Sequence, residues 1–475
     1  MPKNAPPTLP TPPHSRAGEL DGGAVVRPRW WHGVVLLGPA FVASIAYVDP
    51  GNVAANLTAG AQYGYLLVWV LVLANLMAML IQYQSAKLGL VTGRTLPEHV
   101  GARARPWTRR AYWLQAELVA AATDIAEVIG GALALNLLFG LPLVLGGLIV
   151  GVVSLVLLIV QSSRRQRSFE FVIIGMLAVI AFGFLTGTFV SGVDWPEAVD
   201  GLVPRFEGTP TVLLAASMLG ATVMPHAIYL HSALARDRHH AAFAATAEKT
   251  DFTRRAAANP AAATANPAAD AAVNPAPDPA SIGTELDVAP SRVRRLLRAT
   301  RFDVIVALLL AGAVNIAMLL LAASSLRGVE GTDTIPGAYD AIAAALGPAV
   351  ATIFAIGLLA SGLASTSVGA YAGSVIMKGL LRVRIPVVAR RAVTLIPALV
   401  VLGAGIDPTW ALVLSQVLLS IGIPFALIPL IRLTGNRMLM GEFADRLPVR
   451  LVAWAVAALI VALNVVLIAL TLTGS

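Results

Sequence analysis

A chain of 475 residues that is 57% hydrophobic and only 13% charged is too apolar for a soluble globular protein, and it reads as a membrane protein. The absence of cysteine excludes disulfides, thiolate metal centres and cysteine nucleophiles, leaving oxygen, nitrogen and thioether groups as possible ligands. The formal net charge of +8 is accounted for by arginine-rich cytoplasmic loops, so no nucleic-acid partner is expected.

Residues 1–30 are polar and proline-rich, which predicts a disordered cytoplasmic tail. The apolar run after it is too long and too interrupted for a cleavable signal peptide, so the first span is expected to stay in the membrane. Stretches of about 20 apolar residues then mark eleven spans. They lie near 32–62, 65–90, 112–137, 141–161, 168–191, 209–236, 302–325, 338–377, 387–404, 409–432 and 449–472. The expected class is an all-α integral membrane protein of eleven transmembrane helices, a monomer with the lipid bilayer as its partner.

The first span carries Asp49-Pro50-Gly51-Asn52 at its middle. Proline followed by glycine cannot continue a helix, and a carboxylate at bilayer depth is costly, so two half-helices joined by unwound backbone are predicted. The sixth span carries a matching interruption at Ala221-Thr222-Val223-Met224-Pro225-His226. Spans one to five and six to ten therefore each open on a broken helix, the pattern of a 5+5 inverted repeat with an eleventh span appended. Residues 31–236 hold the first repeat and the broken sixth helix, and 301–475 hold the remaining spans. Between them, 237–300 is Ala-rich and punctuated by Asn259-Pro260, Asn266-Pro267, Asn274-Pro275 and Asp278-Pro279, which predicts a flexible cytoplasmic loop. Its end, Ser291 to Arg301, reads as a basic amphipathic helix on anionic lipid or as a solvated charge run.

Orientation follows from arginine and lysine alone. Of the 34 such residues, all but Arg205 and Arg327 fall in the tail or in even-numbered connections between spans. The positive-inside rule places the N-terminus in the cytoplasm and, with eleven spans, the C-terminus outside the cell membrane.

Interrupted helices at the bilayer midplane point to a transported substrate. Asp49 offers a hard anionic oxygen, Asn52 a neutral carbonyl oxygen and Met224 a soft thioether, and the unwound turns free backbone carbonyls at Ala46 and Ala221. Oxygens alone suit Mg²⁺, Ca²⁺ or Mn²⁺, whereas a thioether adds affinity only for transition metals; the mixed set points to Mn²⁺, Fe²⁺ and similar ions. Each residue also has a plainer reading: Met224 as packing, Asp-Pro-Gly-Asn as an ordinary turn, Asn52 as the N-cap of the second half-helix.

The stretch from Gly38 through Asn52, and the stretch Gly220-Ala-Thr-Val-Met224-Pro-His226-Ala-Ile-Tyr-Leu-His231-Ser232, closely resemble the Nramp family of divalent metal transporters, its bacterial manganese-transporting members in particular. The resemblance covers nearly all of 32–472. It implies a leucine-transporter-like fold and proton-coupled uptake, with Mn²⁺ or Fe²⁺ as transported substrate, H⁺ as coupling ion and no resident cofactor. It also implies metal ligands at Asp49, Asn52, Met224 and the carbonyls of Ala46 and Ala221, and it matches Gln416 to a tenth-helix glutamine that approaches the metal. Ala227, where many members carry Asn, and the long insertion at 237–300 depart from the family pattern.

Protons need groups of their own. Glu117, Asp124 and Glu127 in the third span share a sector of roughly 80° of one helix face, with Arg390 and Arg391 at the start of the ninth as natural partners. A proton relay is the preferred reading, a helix-orienting ion-pair network the other. His226 reads equally as a proton acceptor or gate and as a packing residue, His231 as structural, and His239-His240 as solvated.

Rival classes are weaker. A transporter of amino acids or organic amines would not set Asp49 against a substrate carboxylate, and a Mg²⁺-tuned relative would be expected to lack Met224. Tyr339-Asp340 and Gly403-Ala-Gly-Ile-Asp407 superficially resemble intramembrane aspartyl protease motifs in the wrong order. No His-Glu-x-x-His or Gly-x-Ser-x-Gly motif is present, so no enzyme activity is expected.

Overall fold

The computed structural model describes residues 39–162, 166–238, 290–332, 334–381 and 387–473. The predicted tail and most of the predicted loop, with His239-His240, lie outside the described residues.

The first span divides where the sequence says it must. Helix α1 (Pro39–Ser44) runs into a 3-10 turn at Ile45–Val48, the backbone is extended at Asp49, and α2 (Pro50–Tyr63) begins on the proline. Proline suits that position because the first helical residue needs no N–H partner, and Asp49 caps the new helix by accepting from the Asn52 N–H at 2.9 Å. Helices α3 (Val68–Thr92), α4 (Leu96–Arg103), α5 (Pro106–Phe139), α6 (Leu143–Ser162) and α7 (Gln166–Val190) follow, then the short α8 (Trp195–Asp200). At the start of α4, Thr95 and Glu98 satisfy each other's backbone N–H groups in a capping box. The sixth span divides into α9 (Gly208–Thr222) and α10 (225–238). Helices α11 (Pro290–Ser325), α12 (Ile335–Leu346), α13 (Pro348–Leu381), α14 (Val387–Gly403), α15 (Pro408–Thr434), α16 (Arg437–Met440) and α17 (Leu447–Thr473) complete the chain, and all of these elements are helical.

Two boundaries differ from expectation. The overlong eighth segment is two helices, α12 and α13, parted at Gly347, whose φ of +93° few side-chain-bearing residues adopt. The basic stretch from Ser291 to Arg301 is not a separate surface helix but the first turns of α11, because neither proline nor glycine interrupts the chain between Pro290 and Gly312. Arg294, near its start, pairs with Glu442 beyond α16.

Among the described residues, seven helices are long and apolar enough to cross a membrane, and shorter apolar helices fall within α6, α7, α12 and α14. The broken elements lean on continuous ones: α2 packs on α11, α9 on α15 and on α2, while α13 lies along α5 and α15 also contacts α5 and α17. One apolar cluster passes through both breaks, with Ile45, Val48, Met218, Met224, Leu319 and Leu419 all buried in it. Helix–helix packing holds the unwound backbone in place where lipid could not.

Candidate metal centre

The same arithmetic governs both breaks. A helical carbonyl accepts from the N–H four residues on; four residues after Ala46 stands Pro50, and four after Ala221 stands Pro225. Neither proline has an N–H, so both carbonyls lose their ladder partner at equivalent places in the two halves. That of Ala221 accepts from Asn52 Nδ2 at 3.0 Å. The next two carbonyls of the first break are held elsewhere: Asn315 Nδ2 donates to Tyr47 O at 2.8 Å, and the Ser361 hydroxyl donates to Val48 O. Both donors come from distant helices, α11 and α13.

Asp49 sits at the centre of the polar contacts. Its Oδ1 accepts from the backbone and Nδ2 of Asn52, the latter at 2.6 Å, and its Oδ2 accepts from Gln416 Nε2 at 3.2 Å. Asp49, Asn52, Met224, Gln416 and the two alanines are all buried. Asn52 is therefore not a cap. Asp49 performs that role, and Asn52 bridges the first break to the second. Asn52 Oδ1 and Gln416 Oε1 have no hydrogen-bond partner. Unpaired buried amide oxygens are costly, and a cation is the kind of ligand that satisfies them.

Close backbone approach brings Gln416 in. A Cβ on Gly220 would stand 1.9 Å from the Gln416 carbonyl oxygen, so only glycine fits there, and one on Gly51 would stand 1.7 Å from Gln416 Nε2 and displace that side chain. Among the described residues no three His, Cys, Asp or Glu converge as a metal cage. The polar groups that do meet at the breaks are one carboxylate, two amides and the Ala221 carbonyl.

The acidic face of α5 is built differently. Asp124 Oδ1 lies 3.1 Å from Arg391 Nη1 with both side chains buried, and Arg391 Nε donates to Ser154 Oγ at 3.1 Å. Glu127, a turn further on, is fully buried with neither carboxylate oxygen in a hydrogen bond, and lies against Gly369 of α13. Glu117 is only half-buried, since about 10 Å of helix separates it from Asp124 toward the start of α5. The side chain of Arg390 lies outside the described residues. His226, buried, brings Nδ1 to 3.4 Å from Thr123 Oγ1 on α5, which joins the second break to the helix bearing the acids.

One connection was not foreseen. His231 Nδ1 lies 2.8 Å from Gln82 Oε1, and Gln82 Nε2 donates to the Tyr47 hydroxyl beside the first break. Its signal was present as Gln82, Gln84, Ser85 and Lys87, buried polar residues clustered within six positions of a largely apolar span. Asp340 and Asp407, by contrast, are exposed, and Asp407 caps α15 by accepting from the Trp410 N–H at 2.6 Å, so they form no buried aspartyl pair. A cavity of about 290 Å³ opens between the far ends of α2 and α9 and the start of α15, with Thr58, Gln62, Thr409 and Asp407 among its lining.

Comparison with known proteins places this geometry. Residues 40–470 match the family model described as natural resistance-associated macrophage protein-like. The chain is 53% identical to a protein of Mycobacterium tuberculosis H37Rv named divalent metal cation transporter MntH, covering 97% of this chain and 96% of that one. Among solved structures, a manganese transporter of Eremococcus coleocola is 27% identical with a TM-score of 0.75, over 93% of this chain and 87% of that one. Mhp1, a nucleobase-cation-symport-1 family transporter, is 13% identical with a TM-score of 0.50 over 91% and 90% of the two chains, a likeness of fold alone.

Proposed function

The chain belongs to the Nramp family, and from that premise we propose that it is a proton-coupled symporter importing divalent transition-metal ions, Mn²⁺ and also Fe²⁺, across the cell membrane by alternating access. The observation that carries this reading is the convergence of the two breaks. Asp49, the open oxygens of Asn52 and Gln416, and the Ala221 carbonyl that Asn52 reaches come together where α2, α9 and α15 meet; buried Met224 and the carbonyl of Ala46, which lacks its helical partner, complete the proposed ligand set. The names of the relatives, divalent metal cation transporter and manganese transporter, agree with it.

Asp49 supplies the only carboxylate among these donors, so a bound dication leaves the site positively charged and favours proton release. His226, bonded toward α5, and Glu127 with the Asp124–Arg391 pair beyond it form the route by which that proton leaves toward the cytoplasm, with Glu117 and Arg390 further along. Met224 discriminates, since a thioether adds affinity for Mn²⁺ and Fe²⁺ but none for Ca²⁺ or Mg²⁺. The cavity bounded by Thr58, Gln62 and Asp407 is the outer approach, and α1 and α10 swing at the unwound turns to open the inner one. Eleven spans, a cytoplasmic N-terminus and an inside-negative potential then draw both cations inward.

Uptake into proteoliposomes under an inward proton gradient tests the proposal. Wild type should take up Mn²⁺, faster with external acid, and the Met224→Ala protein should begin to admit Ca²⁺. Absence of metal uptake by wild type refutes it in favour of an organic substrate, and unchanged selectivity in Met224→Ala refutes the role given to the thioether.

A further inference from the structure

At the opposite end of the molecule from the cavity just described, a second one of about 480 Å³ opens between the end of α3, helix α4 and α16. Val91, Thr92, Arg94, His99, Arg103 and Leu439 are among its lining. It shares no residue with the metal centre or the acidic face of α5.

Its chemistry is one-sided. Arg94 and Arg103 are exposed guanidiniums, and neither enters an ion pair among the described residues, unlike Arg236 and Arg294, which are bound to Glu98 and Glu442. The one nearby carboxylate of α4, Glu98, is occupied: Arg236 Nη1 donates to both its oxygens at 2.8 and 3.0 Å, and it closes the capping box with Thr95. The polar floor is His99, 4% exposed, whose Nε2 lies 2.9 Å from Thr92 Oγ1. Thr92 donates its own hydroxyl to Leu88 O at 2.7 Å, so the imidazole is the donor to it. Burial, with the charges of Arg103 and Arg94, pushes the His99 imidazole down to about 4. The ring is neutral at neutral pH, and the positive charge of the pocket rests on Arg94 and Arg103.

Depth matters as much as charge. Val91 and Thr92 are the last residues of a membrane-spanning helix, and four residues past Arg103 stands Trp107, 80% exposed. Tryptophan and arginine at a helix end mark the headgroup level of a bilayer. Arginine pairs form planar, two-pronged contacts with phosphate oxygens, and basic pockets on the cytoplasmic side of membrane proteins take anionic lipid.

We propose that this pocket binds a phosphate-bearing anion, with Arg94 and Arg103 as its ligands. Its depth favours the headgroup of an anionic phospholipid of the inner leaflet over phosphate from solution.

The test is native mass spectrometry of the full-length protein released from discs of phosphatidylcholine with and without added phosphatidylglycerol. Wild type should retain the anionic lipid over the zwitterionic one. Arg94→Gln/Arg103→Gln should lose roughly 30-fold in relative retention, two arginines at about 1 kcal/mol each. The control is Arg105→Gln/Arg110→Gln, which removes the same charge from exposed positions outside the pocket and should retain the lipid. Inorganic phosphate is titrated in a parallel arm with thermal stability as readout. Protection by phosphate in wild type but not in Arg94→Gln/Arg103→Gln, without lipid retention, supports the pocket with a soluble ligand instead. Equal retention by both double variants, or equal loss in both, overturns the proposal by reducing the effect to diffuse surface charge. Unchanged melting of both variants in phosphatidylcholine alone separates lost binding from misfolding.

Discussion

The two helix breaks and the Asp124–Glu127 part of α5 are both buried, polar and adjacent, yet they satisfy their polar groups in opposite ways. At the breaks a single carboxylate is surrounded by neutral donors, and two amide oxygens are left open. On α5 a carboxylate is matched by an arginine at 3.1 Å, and the neighbouring Glu127 carries no hydrogen bond at all. The first arrangement suits a ligand that brings positive charge and takes lone pairs. The second suits a proton, which needs a group that can exist with or without charge beside a fixed countercharge. Proximity alone does not make one site of them.

The comparison breaks if both regions respond alike to substitution. Asp49→Ala should have the largest effect: it removes the only charged donor and the cap of α2, and Mn²⁺ binding by isothermal titration should fall by more than roughly 100-fold, since losing even an outer-shell partner typically costs 10–100-fold. Gly220→Ala comes next. Its Cβ would stand 1.9 Å from the Gln416 carbonyl, so α15 must shift, costing about 1–3 kcal/mol in thermal unfolding and weakening Mn²⁺ binding with Gln416 itself unchanged. Glu127→Gln should matter least to binding, within about threefold or under 1 kcal/mol, while slowing uptake and abolishing its stimulation by acid. Equal loss of binding in Asp49→Ala and Glu127→Gln would merge the two regions into one.

Much of this was legible before any coordinates. Asp-Pro-Gly-Asn and Met-Pro-His inside apolar runs announce breaks because proline and a buried carboxylate conflict with a continuous helix locally. The shared face of Asp124 and Glu127 follows from helical spacing. The role of Asn52 did not, since capping and bridging use the same side chain and differ only in where Ala221 stands. Nor did the His231–Gln82–Tyr47 chain, whose members come from three helices, or the half-buried position of Glu117, which depends on how far α5 projects from its neighbours.

By itself the sequence determined which backbone segments cannot be helical, which donor types lie beside them, and that the chain lives in a membrane. Those are consequences of covalent structure and solvation within a few residues. Only the tertiary structure decided that Asn315 and Ser361 hold the carbonyls of Tyr47 and Val48 while that of Ala221 is held by Asn52. It likewise decided that Gln416 reaches Asp49 through two glycines, and that Arg391 answers Asp124 rather than Glu127. Such pairings join residues hundreds of positions apart, and close packing between helices, not local preference, selects among the partners each polar group might have had.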